Sequence, residues 1–208
     1  MFVPPTFAEA DENEIRRLIS EHPLALIAYS VGGAVDAQHI PVIFDGQNRL
    51  IGHVAANNDM CSSLQSGSEV LLVFSGQDSY ISPNWYPSKQ IHHRHVPTWN
   101  YQSVHVRGTL NYLTDPKAAL GVVGMLTKHF ERRVNGSEGW KIADAPRDYM
   151  ADLLTQLTPF EVDVRHISAQ SKLSQNREKA DHDSVRNQML EADKLELACR
   201  MSSCIKES

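Results

Sequence analysis

The feature that most constrains the fold is a series of short strand-like segments spread along the chain. Val104–Tyr112 alternates apolar and polar residues, as a half-buried strand does, and Phe160–Ile167 alternates in the same way. Leu24–Ser30 is a compact apolar segment that ends at Gly32-Gly33, which predicts a hairpin with the next strand. Many antiparallel strands with two or three inserted helices favour a small closed barrel, because a doubly wound sheet needs strands and helices in strict alternation.

The same patterns predict further elements. A third strand is expected at 49–54, and 69–75 is so continuously apolar that we expect a strand covered on both faces. Asp59 is expected to cap a short helix that extends to about Ser66. Apolar residues at helical spacing predict longer helices at 11–21, after Thr114-Asp115-Pro116 and at 147–157.

The segment 80–101, YISPNWYPSKQIHHRHVPTWNY, is the part of the chain that is densest in aromatic, proline and histidine residues. Its prolines break any regular period, so we predict a shaped, mostly rigid loop. Flat rings beside amides and hydroxyls are what a planar ligand needs. A second interpretation, in which the rings only close the end of the barrel, stays open; both interpretations concern Trp85, Tyr86, Trp99 and Tyr101.

The turn at 55–59, AANND, is small and rich in amides, and it lies close to His53. Backbone N–H groups and Asn side chains in such a turn can hold a phosphate. Asn side chains also bond to their own backbone in turns, and this local role is the open alternative.

Charge and composition narrow the function classes. The 208 residues suit one domain, and the formal charge of −5 with a pI near 6.0 does not attract nucleic acid. We find no strong basic patch, so direct DNA contact has no support from charge or motif. No segment reaches the ~18 apolar residues of a membrane helix, and the acidic, proline-containing N-terminus is unlike a signal peptide. We therefore expect a cytosolic protein without a membrane partner.

The three cysteines give an odd count without a CxxC spacing, which predicts free thiols rather than disulfides or a zinc knuckle. The histidines of HHRH at 92–95 raise a separate question. If the segment is extended, His93 and His95 point the same way, but no carboxylate or cysteine nearby in sequence completes a tetrahedral set. We therefore predict no metal site.

The patterned region ends at 171–177, a segment that is polar apart from Leu173. Burying such a segment is costly, so we expect it to be solvated or bonded to polar groups. After Glu178 the chain is charged with sparse apolar residues, which predicts an amphipathic helix with a frayed end from about Ser202. The expected organisation is a barrel domain at 1–177 and a charged helical tail at 178–208.

Six sequence motifs stand out along the chain: MFVPPTF at 1–7, HIP at 39–41, GHVAANN at 52–58, YISPNWYPSK at 80–89, VPTWNYQSVHVRG at 96–108 and KLSQNR at 172–177. Together they resemble the PaiB-type family of FMN-binding negative transcriptional regulators. They span most of the first 177 residues, and PTWNY and KLSQNR in this order are the most specific. The chain departs from the family at Ala56, where a basic residue is common, and this change removes a candidate cation for a phosphate.

The resemblance implies an antiparallel FMN-binding split β-barrel with packed helices, with FMN bound at the interface of a homodimer. It also implies which residues contact the flavin. The candidates for the phosphate and ribityl end are His39, His53, Ala55 and Asn58. The ring system would lie near Trp85, Thr98, Trp99, Asn100 and Tyr101, and the site would be closed by Lys172, Ser174, Gln175 and Arg177. Lys172 is expected to approach either the phosphate or the N1/C2 side of the isoalloxazine.

Two function classes are consistent with this resemblance. The first is a flavin-binding regulatory protein that senses FMN or its redox state and affects transcription directly or through a partner. The second is a flavin-dependent oxidoreductase, such as a flavin reductase or a small-amine oxidase, because one fold can host several activities. A third alternative is haem binding, since related split barrels include haem-handling proteins and the chain has ten histidines.

Overall fold

The computed structural model describes residues 1–204; the last four residues of the predicted tail, 205–208, lie outside the described residues. In this range the strands are β1 Leu24–Val31, β2 Ala34–Phe44, β3 Arg49–Ala55, β4 Ser68–Ser75, β5 Ser79–Ile81, β6 Thr98–Tyr112 and β7 Leu157–Lys172. The helices are α1 Glu12–Glu21, α2 Asp59–Ser63, α3 Lys89–His92, α4 Pro116–Asn135, α5 Arg147–Thr155, α6 Lys179–Glu191 and α7 Leu195–Ser203. Short 3₁₀ turns add Pro5–Phe7, Pro83–Trp85, Gly136–Glu138 and Ile142–Asp144.

The strands form one sheet in the order β4-β1-β2-β3-β7-β6-β5, and β4 also pairs with β6. Because β4 pairs with both β1 and β6, six strands form a closed ring and β5 is added beside β6. The pairings of β1 with β2 and β4, of β2 with β3, and of β3 with β7 are all antiparallel. This topology confirms the predicted fold class, an antiparallel split barrel with helices. Among the described residues, no helix combines the length and the apolar character needed to cross a membrane.

The β1–β2 hairpin turns at Gly32-Gly33, as predicted. Val31 pairs with Ala34, so only the two glycines lie in the turn. Their φ angles of 57° and 87° are in the left-handed region, which a two-residue hairpin of type I′ requires and glycine adopts without strain.

The chain packs as two compact units, each built from segments that are distant in sequence. The barrel unit comprises His22–Phe74 and His105–Ile167, and the helical unit comprises Met1–Glu21, Ser75–Val104 and the chain from Ser168. The long strands β6 and β7 therefore contribute residues to both units. The division at residue 177 that the sequence suggests stays a prediction.

The core of the barrel unit consists of the inward side chains of its strands. Ile27, Leu50, Leu72, Val106 and Phe160 are all fully buried. Each such side chain contributes roughly 1.5–3 kcal/mol through its removal from water. A second cluster joins α4 to the sheet through Ile43, Ile51, Val122 and Leu126.

The helical unit has its own core, which combines residues from β5, the proline-rich segment and the C-terminal helices. Its buried members are Ile81, Tyr86, Leu173, Val185, Met189, Leu197, Ala198 and Met201, with Trp85 packed against them. Leu173, the one apolar residue of KLSQNR, is thus a core residue at 2% exposure.

The prediction of a loop over 80–101 is wrong at both ends, where the structure has strands. Tyr80 and Ile81 belong to β5, which pairs with the start of β6 through Tyr80↔Trp99 and Ile81↔Thr98. The strand β6 therefore begins six residues before the predicted Val104, because Thr and aromatic residues favour a strand once an edge is available to pair. Within the loop, α3 ends at His92, and its C-cap residue His93 has a left-handed conformation, so the segment that contains His93 and His95 is not extended as predicted.

Three local predictions also need correction. The cap of α2 is Asn58 rather than Asp59, because Asn58 Oδ1 accepts the Met60 N–H at 2.9 Å, and the helix ends at Ser63. The strand β4 buries Leu72 and Phe74 while its other face is only half-buried, as expected for a barrel wall with one inward face. The tail forms two helices because Asp193, at φ 57°, ends α6 in a left-handed turn.

Candidate functional site

The two most specific motifs of the sequence meet in the helical unit. Lys172 Nζ donates to Thr98 Oγ1 at 2.7 Å, which joins the end of β7 to the start of β6. The ammonium also lies 5.8 Å from the centroid of the Phe7 ring. Both hydrogen-bonding residues are half-buried, so the Lys172 ammonium is partly desolvated. Its ammonium has three N–H donors, and two of them have no hydrogen-bond partner among the described residues.

An exposed pair of aromatic rings lies next to this contact in sequence. Trp99 is 47% exposed and Tyr80, its partner across β5 and β6, is 45% exposed. Their ring centroids are 6.1 Å apart in an edge-to-face arrangement, and Trp99 Nε1 donates to Asp78 Oδ1 at 2.8 Å. This hydrogen bond fixes the indole, and the exposed part of the Trp99 side chain can contact a planar ligand.

Other predicted residues of the same unit have internal hydrogen bonds. Asn100 is fully buried; its Nδ2 donates to Ser174 Oγ at 2.9 Å, and Ser174 Oγ donates to Asn100 Oδ1 at 3.2 Å. Gln175 Nε2 donates to the Ser171 carbonyl at 2.6 Å, and Gln175 Oε1 accepts the Leu173 N–H at 2.7 Å. These side chains hold the KLSQNR segment in place, and their predicted contact with the flavin stays a prediction. The prediction that this polar segment is bonded to polar groups is therefore confirmed.

The three remaining candidates of the helical unit are Trp85, Tyr101 and Arg177, and each has a different environment. Trp85 is half-buried against the helical core, and Tyr101 is half-buried on β6. Arg177 places its guanidinium 4.9 Å from the centroid of the Tyr86 ring, a cation–π contact.

A buried polar network escaped the sequence analysis. Ser88 donates its backbone N–H to Asp181 Oδ1 at 3.0 Å and its hydroxyl to Asp181 Oδ2 at 2.6 Å. His95 Nε2 lies 2.6 Å from the Ser88 hydroxyl oxygen, and Arg177 Nη1 lies 3.5 Å from His95 Nδ1. No sequence signal connects Ser88 with Asp181, because they are 93 positions apart.

This Ser, His and Asp group does not have the polarity of a hydrolytic triad. A triad needs a carboxylate at His Nδ1, whereas this Nδ1 faces the guanidinium of Arg177, which has only donors. The arrangement favours a proton on His95 Nε2, so the imidazole donates to Ser88 and the hydroxyl donates to Asp181. Ser88 is therefore a linking residue that joins the proline-rich segment to α6.

The barrel unit contains the other four candidates. His39 and Ala55 are exposed, near the middle of β2 and at the end of β3. Asn58 is engaged on both sides, since its Oδ1 caps α2 and its Nδ2 donates to Gln38 Oε1 at 2.7 Å. The Ala56 and Asn58 N–H groups donate to the carbonyls of Gln156 and Ala55. Asn58 thus has the local role that the sequence left open, whereas the Ala56 N–H pairs with a distant carbonyl, and phosphate binding by this turn stays a prediction.

His53 differs from its neighbours because its Nδ1 is buried and has no hydrogen-bond partner among the described residues. Burial lowers the pKa of His53 below its usual value, so the imidazole is neutral at pH 7. An orphaned buried nitrogen is costly, and a ligand oxygen or a proton donor would satisfy it. His53 is therefore suited to act as a neutral hydrogen-bonding group rather than as a cation.

The residues of the helical unit fit a flavin by their chemistry. A fixed, exposed indole offers a flat wall, and the Lys172 ammonium keeps free donors for the electron-rich edge of a ring or for a phosphate. The strand order, with β4 closing the ring onto β6, defines a split-barrel protein.

The chain belongs to the family described as "Putative FMN-binding domain", which matches residues 1–166. It is 30% identical over 192 residues to the Protease synthase and sporulation protein PAI 2 of Bacillus subtilis (strain 168). This alignment covers 91% of this chain and 89% of that protein. The family inferred from the motifs is confirmed, and so is FMN or a related flavin as its cofactor.

Solved structures of similar fold include flavin-binding proteins. The FAD and heme binding protein from Mycobacterium smegmatis superimposes with a TM-score of 0.59 at 17% identity, over 79% of this chain and 73% of that one. The flavocytochrome Anf3 from Azotobacter vinelandii gives a TM-score of 0.60 at 14% identity, over 79% of this chain and 69% of that one. At these identities the similarity shows the shared fold alone.

Proposed function

We propose that this chain is an FMN-responsive regulatory protein whose flavin is contacted by Lys172 and by the start of β6. The single observation that carries the proposal is the 2.7 Å hydrogen bond from Lys172 Nζ to Thr98 Oγ1. It brings PTWNY and KLSQNR, the two segments on which the family resemblance mainly rests, to one place. Bound FMN would supply a redox-active ring, and a nearby cation stabilises its reduced, anionic form.

The test of this contact is a titration of FMN fluorescence with the wild type and Lys172→Met, which keeps most of the stem and deletes the charge. A charge-assisted contact in a partly desolvated site is worth about 1.5–3 kcal/mol, which predicts a loss of about 10- to 150-fold in FMN affinity. The matched control is Lys179→Met, because the Lys179 side chain is 80% exposed in the same unit. Equal dissociation constants for the wild type and Lys172→Met would remove Lys172 from the site.

We also propose that His53 contributes to phosphate binding. The support is its orphaned Nδ1, which needs a partner. Riboflavin provides the matched ligand because it lacks only the phosphate of FMN. In His53→Phe we expect FMN to bind several-fold more weakly while riboflavin binding stays as in the wild type. A parallel loss for both ligands would exclude a phosphate role.

A homodimer is proposed from the exposed aromatic residues Tyr80 and Trp99, since paired exposed rings favour a partner surface. The resemblance implies FMN at such an interface. Light scattering at micromolar concentration should give twice the 23.3 kDa chain mass. A monomer mass in the presence of FMN would contradict the proposal.

The regulatory role is separated from the oxidoreductase alternative by two assays. With added FMN, we expect no sustained NAD(P)H oxidation above the rate of free FMN; steady turnover would support a flavin reductase instead. With a net charge of −5, we expect regulation through a partner protein, so mobility-shift assays should detect no DNA binding at low or high salt, and a salt-sensitive shift would contradict this. The absorbance spectrum of the purified protein distinguishes flavin from haem, and fractionation tests the expected cytosolic location.

A further inference from the structure

The barrel unit contains a cavity that the proposed flavin contacts do not use. It has a volume of about 800 Å³ and lies between α4 and the segment 136–142 that follows it. Its lining is mostly apolar and includes Gly124, Thr127, Trp140 and Ile142. A volume of this size falls in the range of small-molecule sites, which is roughly 300–1,000 Å³. Trp140 is the tryptophan that lies outside the aromatic segment of the sequence.

Internal contacts hold the wall of this cavity in place. Glu131 Oε2 accepts hydrogen bonds from the backbone N–H of Trp140 at 2.9 Å and from the side-chain Nδ2 of Asn135 at 2.7 Å. Gly139 packs so closely on α4 that an added Cβ would lie 2.9 Å from Glu131 Cβ. The segment can follow this path only with glycine at 139, so the cavity is built into the fold.

The floor of the cavity is one face of α4. Gly124, Thr127, Lys128 and Glu131 recur at helical spacing and so project from the same side of the helix. Gly124 keeps the floor low because it has no side chain. Trp140 forms a wall that is 43% exposed, which leaves indole surface accessible to a ligand.

The charge around the cavity is positive. Lys128, Arg132 and Lys141 line it, and none of the three has a carboxylate within ion-pair distance in the described part of the chain. Glu131 is the one acidic residue in the lining, and its Oε2 is used by Asn135 and Trp140. A ligand that complements this site has a flat apolar body for Trp140 and a negative group for the cations.

We propose that this cavity binds a small aromatic anion, a molecule with a planar apolar body and a carboxylate or sulfonate group, separately from FMN. Trp140 provides the surface for the ring, and Arg132 with the neighbouring lysines binds the anionic group. The site would let the barrel respond to a second ligand besides the flavin.

Calorimetry with two probes tests the proposal on the full chain. The probes are anilinonaphthalene sulfonate and phenylnaphthylamine, which has the same aromatic body without the sulfonate. We expect one sulfonate probe per chain, bound at least several-fold more tightly than the neutral probe. Trp140→Ala and Arg132→Gln should each weaken the sulfonate probe by about 10-fold, which corresponds to one good contact. Arg132→Gln should leave the neutral probe unaffected.

The controls are Tyr149→Ala and Arg133→Gln, which change an exposed ring and the next arginine along α4 outside the cavity lining. They should bind the sulfonate probe as the wild type does. Equal binding of the two probes by the wild-type protein would overturn the proposal even if a variant failed to fold. Displacement of the probe by saturating FMN would overturn it by assigning the cavity to the flavin. A dimer that dissociates in Trp140→Ala would overturn it by assigning the surface to a second copy of the chain.

Discussion

Replacing Asp181 with asparagine tests the buried network that links the proline-rich segment to α6. Asp181 is 2% exposed and accepts both the N–H and the hydroxyl of Ser88. In Asp181→Asn one of these donors would face an amide NH₂ and lose its partner. An unsatisfied buried donor costs about 1–3 kcal/mol, and removal of a buried charge offsets part of this. We expect the free energy of unfolding to fall by about 1–3 kcal/mol.

The assay is urea unfolding monitored by tryptophan fluorescence, with the slope against urea unchanged. The matched control is Asp183→Asn on the same helix, because Asp183 is paired with the exposed Lys179 and should change stability little. A double-mutant cycle with Ser88→Ala should give a coupling of about 1 kcal/mol between Ser88 and Asp181. If Asp181→Asn is as stable as Asp183→Asn and the coupling is zero, the network does not stabilise the fold.

Three further predictions concern stability. Gly108→Ala should destabilise the protein by about 1–3 kcal/mol because the added Cβ would lie 2.6 Å from the Asp163 carbonyl oxygen. The control is Gly121→Ala, whose added Cβ would meet nothing within 4 Å, so the midpoint of thermal unfolding should stay the same or rise. Burial raises the pKa of Glu14, but hydrogen bonds, first from Arg17, outweigh burial and lower this pKa to about 2. The ionised carboxylate therefore stabilises the fold above pH 4.5, and this stabilisation is lost as the pH falls toward 2. Denaturation curves of Glu14→Gln should therefore converge with those of the wild type in that range. Desolvation lowers the pKa of four imidazoles below the usual 6.5, namely those of His53, His105, His129 and His182. The free energy of unfolding should therefore fall as the pH drops below 6.5, and a value that stays constant between pH 7 and 5 would contradict this.

The strands could be predicted from the sequence because periodicity and turn residues are local, and the family was identified through the resemblance of its motifs. Alternation along β6 and β7 sets which side chains are inward, and the glycine pair fixes the first hairpin without help from distant residues. Errors arose where a distant partner decides the conformation. Thr98 and Trp99 look like loop residues beside Pro97, and they become a strand because β5 offers an edge.

The candidate site shows the same limit. The motifs nominated both Lys172 and Thr98 as flavin contacts, but only the fold reveals that they are hydrogen-bonded to each other. The motifs also nominated Asn100 and Ser174 as ligand contacts, which stays a prediction; only the tertiary structure shows that both are buried and hydrogen-bonded to each other.

By itself, the sequence determined the antiparallel strands of the barrel, because periodicity and turn residues act over a few positions, and its motifs carried the resemblance to the flavin-binding family. Only the tertiary structure decided which polar groups meet. The pairing of Ser88 with Asp181 joins segments 93 positions apart, and the cavity beside Trp140 depends on how the segment 136–142 folds back onto α4. A buried polar group must find a partner wherever packing places it, and no local pattern records which partner that will be.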